Sequence, residues 1–314
     1  MYMKLNLSEK EILSILEVDC RIPANQIAKK LKLSTEGVIK IINRLIERKV
    51  IRKFNTKINY SKMGFRLYPV HIKLVKRDDQ SVKRIITIIK KYRICAWHIF
   101  CEGEYDLLLS FSIEKEKDKE VMSSMLDELS PFILEKEISV VLDAFEINKS
   151  FSQTAQSKFF PIFDCEVESE KLNEREVELI EVLRKNSRDS ILNIAKKIKL
   201  NPRSTITMMK KLQKNKIISG YKIKINMATL SYHPYIALIS VNKVDSAQYD
   251  KFVSYCKQTK GIHYFLHQLG KYDIELTFDV EDIHRFYEII EDIRNRFSFV
   301  KKITTLIEKE NKDY

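Results

Sequence analysis

The sequence predicts an α+β protein made of one unit used twice. Each unit is a winged helix-turn-helix followed by a ferredoxin-like βαββαβ domain. Three observations carry this reading. Ile194 to Asn226 reads as a short helix, a turn, a longer helix and a strand. Ile27 to Asn59 repeats that pattern without a gap at an offset of 167 residues, and Gly103-Glu-Tyr-Asp106 aligns with Gly270-Lys-Tyr-Asp273 at the same offset. Downstream of each, the apolar period alternates between helix-like and strand-like in the order βαββαβ. Similarity over this length marks a duplicated domain rather than a solenoid of short repeats.

Taken in order, the first helix is expected from Ser8 to Val18. Ser8 and Glu11 have capping-box spacing, and Ile12, Ile15 and Leu16 form its core stripe. Leu7 to Glu11 aligns with Leu172 to Glu176 at an offset of 165, which implies a two-residue difference at one helix junction. Pro23 opens the next helix, with Ile27, Ala28 and Leu31 inward. Ser34 caps the third, with Val38, Ile41, Ile42 and Leu45 inward. Val50 to Ile58 then serves as the wing. In the second copy Asn201 is the N-cap and Pro202 takes the first helical position, where its missing N–H costs nothing. Ile206, Met209 and Leu212 face inward, and Ile217 to Asn226 is the second wing.

The first sheet domain reads as a strand (Leu67 to Lys76), a helix (Ser81 to Tyr92), two strands (Ile94 to Phe100, Tyr105 to Ile113), a helix (Val121 to Leu129) and one closing strand (Ile133 to Phe145). The second repeats this from Tyr235 to Ile307. The expected domains are 1–60 and 171–228 for the winged helices, and 61–148 and 229–314 for the sheet domains. Residues 149–170 lack periodicity and are read as a linker, although Phe159, Phe160, Ile162 and Phe163 are expected to pack on something.

Charge sharpens the picture. The chain has 314 residues and a net charge of +13. Residues 1–60 hold 13 Lys/Arg against 6 Asp/Glu, and residues 171–230 hold 15 against 5. The remaining segments are slightly acidic, so the excess sits on the two helix-turn-helix segments, as phosphate neutralisation requires. Five cysteines without a CxxC pair point to a reducing compartment and against a structural zinc site. There is no membrane-length apolar run and no signal-peptide core, so a cytoplasmic location is expected. His98, His263 and His267 fall on strand patterns. His263 and His267 are too far apart along one strand to chelate a single ion.

This order of motifs resembles the leucine-responsive regulator family (Lrp/AsnC). The residues that carry the resemblance are Leu7 to Glu11, Ile27-Ala28, Leu33-Ser34, Val50-Ile51 and Gly103 to Asp106 in the first copy. In the second they are Leu172 to Glu176, Ile194-Ala195, Leu200 to Pro202, Ile217 to Tyr221 and Gly270 to Asp273. The resemblance implies sheet domains of the RAM type that pair face to face, so two fused copies imply an intramolecular pseudo-dimer, with further self-association expected. It also implies a sequence-specific transcriptional regulator that binds double-stranded DNA, modulated by an amino-acid-like effector near Gly103, Asp106, Gly270 and Asp273. The competing reading of those residues is that Gly supplies a turn and Asp bonds backbone amides.

By resemblance and pattern, the DNA contacts are expected at Lys40, Asn43, Arg44, Arg203, Ser204, Thr207, Lys210 and Lys211, with Lys222 and Lys224 on the second wing. Arg203 and Lys210 suit guanine edges, whereas Ser204, Thr207 and Lys211 suit phosphates. Glu36 and Gly37 stand where the second copy has Arg203 and Ser204, so the first reader is expected to bind more weakly, or to serve only as an effector-sensing module. Some Lrp-like proteins are sirohaem decarboxylases of haem biosynthesis. Their Tyr-Asn-Leu-Trp-type strand is replaced here by Tyr105 to Leu109 and Tyr272 to Leu276. The expectation is therefore a protein that is not an enzyme and needs no cofactor or metal.

Overall fold

The computed structural model describes residues 4–92, 94–149, 151, 158–166 and 168–309. The first helix-turn-helix is built from α1 (Leu7–Val18), α2 (Ala24–Leu31) and α3 (Thr35–Glu47), followed by strand β1 (Ile51–Ile58). The first sheet domain comprises β2 (Arg66–Leu74), α4 (Asp79–Lys91), β3 (Cys95–Glu102), β4 (Leu107–Ile113), α5 (Glu116–Leu129), β5 (Ile133–Ile138) and β6 (Val140–Ile147). Strand β7 (Phe159–Asp164) precedes the second copy. That copy has α6 (Glu174–Lys185), α7 (Ile191–Lys197), α8 (Pro202–Lys214) and β8 (Ile218–Ile225). Then come β9 (His233–Val241), α9 (Ser246–Gln258), β10 (Ile262–Leu269), β11 (Ile274–Val280), α10 (Ile283–Arg296) and β12 (Val300–Glu308).

The capping chemistry corrects the expected start of α1. Its cap is Asn6, whose side chain accepts from the Glu9 N–H at 2.9 Å while Glu9 accepts from the Asn6 N–H at 2.9 Å. Asn173 and Glu176 make the same box at α6. The offset of 167 therefore runs from the first helix onward, and the two-residue difference does not exist. The repeated Leu-x-Glu-x-Glu spelling drew the alignment away from the asparagines that terminate the helices.

The wings are the larger departure. β1 and β8 lie antiparallel against each other, with Phe54 opposite Ile223 and Asn55 opposite Lys222. Among the described residues neither copy supplies a hairpin partner for its own strand, so the two wings satisfy each other's backbone. Both helix-turn-helix units thereby share one apolar core, from Ile12, Leu16 and Val38 to Leu179, Met209 and Ile223. Cys20 Sγ lies 3.2 Å from its repeat equivalent, Ser187 Oγ. Arg21 donates to the Ser187 carbonyl and Arg188 to the Cys20 carbonyl, a reciprocal pair about the same pseudo-twofold axis.

The ten-stranded sheet runs β5-β2-β4-β3-β12-β9-β11-β10-β6-β7. The stretch expected to be a single strand from Ile133 to Phe145 divides at buried Ser139. β5 stays beside β2, while β6 crosses to β10 of the other copy, Val140 opposite Leu269 and Glu146 opposite Tyr264. The end of β12 crosses the other way, Ile307 opposite Glu102 and Glu308 opposite Cys101. Each copy thus hands a strand to its neighbour. Part of the expected linker is ordered sheet: β7 pairs with β6, and Phe160 and Phe163 are buried. Residues 150, 152–157 and 167 of that stretch lie outside the described residues.

A further core lies between the two sheet domains, made of Ile99, Cys101, Tyr105 and Leu108 with Ile236, Leu238, Tyr272 and Leu306. The Tyr105 and Tyr272 rings meet edge to face at 6.2 Å on the pseudo-axis. Among the described residues, no helix is long and apolar enough to cross a membrane.

Candidate nucleic-acid interface

The two third helices present different faces. On α8 the residues Arg203, Thr207, Lys210 and Lys214 recur at helical spacing and are all exposed, and α8 carries no carboxylate. Ser204 and Lys211 are exposed beside them. The buried side is Thr205, Met209 and Leu212, so Ile206, expected inward, is 39% exposed instead. The Thr205 hydroxyl donates to the Asn201 carbonyl at 3.0 Å, which allows a polar residue on the buried face. On α3 the equivalent stripe is Glu36, Lys40, Asn43 and Glu47, with Val38, Ile42 and Leu45 buried. The stripe therefore carries three positive charges in the second copy, and two negative against one positive in the first.

Two of the expected contacts hold the reader in place. Arg44 Nη2 lies 3.0 Å from Glu9, which also takes Arg48 at 2.7 Å. Lys211, at the position equivalent to Arg44, lies 2.6 Å from Glu176. Each carboxylate caps the first helix with one oxygen and grips the third with the other. Burial opposes ionisation of Glu176, but the Lys211 bond outweighs it and holds its pKa below the usual range.

Lys222 is not a wing contact. It is 2% exposed and ion-paired at 2.8 Å with both Glu17 and Glu146. Burial works against its charge, and the two carboxylates overcome that, so its pKa is raised. Glu146 also pairs with Lys57. The wing is an internal strand pair, and alternation points Lys222 down into the junction with the sheet domains. Lys224 lies two residues further along the same face of β8, where it is exposed near Arg52, Lys53 and Lys57, and burial followed by this crowd of cations lowers its pKa. Arg52 and Lys53 are exposed too, and sequence reasoning missed them because it looked only at the second wing.

The aspartates expected to meet an effector amine are already committed. Asp106, 1% exposed, accepts from the Leu74 N–H at 2.8 Å and is paired with Lys73 at 3.2 Å and Arg77 at 2.6 Å. Asp273 accepts from the Val241 N–H at 2.8 Å. Both stitch the β-turn to the neighbouring strand. The glycines serve the strand exchange. Gly103 has φ +139°, and a Cβ there would stand 2.7 Å from Leu306 Cδ2 and 3.0 Å from the Thr305 carbonyl. A Cβ on Gly270 would overlap Ser139, the residue equivalent to Leu306. Beside Gly103 a cleft of about 240 Å³ is lined by Glu102, Tyr235, Ile283, Phe286, Tyr287 and Thr305 to Ile307. Arg77 and Lys309 both pair with Glu102 at its rim.

Of His98, His263 and His267, the last two are paired with carboxylates. His263 Nδ1 lies 3.1 Å from Asp279, and His267 Nδ1 lies 3.5 Å from Asp143. Burial pushes the His263 imidazole down to about 4, against the pull of Asp279.

Residues 5–52 match the winged helix-turn-helix DNA-binding family. An uncharacterised HTH-type transcriptional regulator of Pyrococcus furiosus is 30% identical over 117 residues, which is 37% of this chain and 77% of that protein. One from Pyrococcus abyssi is 33% identical over 116 residues, 37% of this chain and 75% of its own. The HTH-type transcriptional regulator LrpC of Bacillus subtilis is 28% identical over 141 residues, 45% of this chain and 94% of its own. The chain belongs to the Lrp/AsnC family of HTH-type transcriptional regulators. Those relatives match less than half of this family member, as expected of single-copy proteins set against a duplicated one.

Among solved structures, the siroheme decarboxylase NirDL superposes with a TM-score of 0.65 at 12% identity, covering 96% of this chain and 91% of that one. At that identity the likeness is one of fold, and it extends over both copies. It also overturns the expectation that the chain is not an enzyme, because a protein with this two-copy fold is one.

Proposed function

We propose that this Lrp/AsnC-type regulator reads double-stranded DNA chiefly through α8, with α3 as a weaker second reader held in fixed relation to it. The observation that carries this is the carboxylate-free face of Arg203, Thr207, Lys210 and Lys214, set against Glu36, Lys40, Asn43 and Glu47 at the same positions of α3. Arg203 and Lys210 donate to guanine edges, while Ser204 and Thr207 hold phosphates. Exposed Ile206 adds an apolar surface of the kind that meets a thymine methyl. Lys40, Asn43 and Lys224 add backbone contacts. The protein works in the cytoplasm, where its five free thiols stay reduced.

The effector site is the cleft beside Gly103. Its volume is below the roughly 300–1,000 Å³ of pockets for drug-sized ligands, which suits a small amphiphile such as an amino acid. Glu102, held at the rim by Arg77 and Lys309, would give up one of those pairings to accept from a ligand amine, and Tyr235, Phe286 and Tyr287 offer an apolar wall.

The test is a DNA titration across a salt series with the intact chain and with Arg203→Ala/Lys210→Ala. Removing either base-reading side chain is expected to cost about 1–3 kcal/mol and to relax sequence preference. Unchanged affinity and preference in the double variant would remove α8 from the reading role. An unaltered chain with no DNA affinity and a tetrapyrrole-like absorbance would replace this reading with the chemistry of the decarboxylase whose fold it shares.

A further inference from the structure

Equivalent positions about the pseudo-axis carry opposite chemistry in the two sheet domains. Position 104 is Glu in the first copy and its equivalent, 271, is Lys in the second; the two side chains meet at 3.0 Å. Glu104 also lies 3.5 Å from Lys302 and accepts from the Tyr272 hydroxyl at 2.8 Å, and Lys271 lies 3.9 Å from Glu137. Glu135 is the equivalent of Lys302. Around the axis the first copy thus supplies Glu104, Glu135 and Glu137, and the second supplies Lys271 and Lys302.

A second asymmetry lies deeper. His71 Nε2 is 3.2 Å from Glu275, both buried, with the His71 ring 5.3 Å from Tyr105. The equivalents on the other side of the axis are Leu238 and Leu108, both in the apolar core between the sheets. One flank of the interface is a buried His–Glu pair and the other is leucine.

We propose that these two sets form a recognition surface by which each sheet domain accepts the other half of its own chain and rejects a like half from another molecule. Two first copies facing each other would set Glu104 against Glu104, with Glu135 and Glu137 beside them and both buried histidines opposite leucine. Two second copies would set Lys271 against Lys271, with Lys302 on each side and two buried glutamates without a partner. Buried carboxylates left unpaired and like charges face to face are the usual repulsive elements of partner choice. A symmetric homodimer cannot hold the Glu104–Lys271 pair, because on the axis a position meets its own copy, and it would hold a His–Glu pair on both flanks or on neither. Duplication within one chain releases that constraint. The predicted consequence is a regulator insulated from pairing with single-copy relatives through this interface.

The test uses the full chain. Glu104→Lys and Lys271→Glu are each expected to lower the thermal midpoint by several degrees, and the double reversal to regain at least half of that loss. A double variant as unstable as the sum of the singles would show that the pair is not recognised as a pair. Rejection is read separately by unfolding, mixing and co-refolding two differently tagged chains, then capturing one tag. The variant His71→Leu/Glu275→Leu/Glu104→Gln/Lys271→Gln, which makes the two flanks alike, is expected to carry several-fold more of the second chain than the unaltered protein. Equal capture would overturn the proposal, and circular dichroism of the same samples shows whether the variant is folded.

Discussion

Lys222 concentrates the difference between what a residue spells and what it does. In the sequence it is one lysine of a basic wing. In the fold it is the buried centre of a network joining Glu17 of α1, Glu146 of β6 and, through Glu146, Lys57 of β1. Removing one partner of such a buried set leaves uncompensated charge, so Lys222→Met is expected to cost about 3–5 kcal/mol. Urea unfolding measures this. DNA affinity per folded molecule should not change, and a reduced salt slope with normal stability would restore the wing-contact reading. His263 gives the matching pH prediction. Its folded pKa lies at about 4, below its ordinary 6.5, so the unfolded chain binds the proton first as pH falls. Stability from this group is fully present above pH 6.5 and is lost as pH falls from 6.5 toward 4. His263→Asn should remove this part of the pH dependence in denaturant titrations at about pH 7 and about pH 5. An undiminished slope between those two conditions would place the proton elsewhere.

At the scale of elements, the chain was most legible where local rules decide. Helix α10 falls at the expected residues, and α2, α3 and α8 start where Pro23, Ser34 and Asn201 said they should. Pairing between copies was not legible. Strand patterns give alternation but not partner, so nothing in Val50 to Ile58 announced that β1 would lie on β8. Nor did Ile133 to Phe145 announce the break at Ser139. The G-x-Y-D turns show the same limit at the candidate site. Sequence offered a ligand or a turn for the aspartates. The structure gives them to the Leu74 and Val241 amides, and gives the glycines to the crossing strands. Gly270→Ala is accordingly expected to displace Ser139 and lower the thermal midpoint by several degrees. An unchanged midpoint would mean that the crossing strand has room to move.

For the whole molecule, duplication explains both the symmetry and its loss. The caps Asn6 and Asn173, the Cys20–Ser187 contact and the exchanged strands keep the twofold relation. The readers, the Glu104–Lys271 pair and the His71–Glu275 pair break it. Glu36 and Gly37, standing where the second copy has Arg203 and Ser204, already pointed to unequal readers, since that comparison needs only the repeat and no knowledge of pairing. The shared core beneath β1 and β8 adds that the readers cannot move independently without opening apolar surface. A single duplex should therefore meet both helices in one fixed geometry, one of them weakly. The most direct measurement is selection of bound sequences from a random DNA pool by the intact chain, read by sequencing. The account predicts one strongly constrained half-site, abolished in Arg203→Ala/Lys210→Ala, with at most a weakly constrained second half-site at fixed spacing. Two equally constrained half-sites, or a site that survives the double substitution, would contradict it.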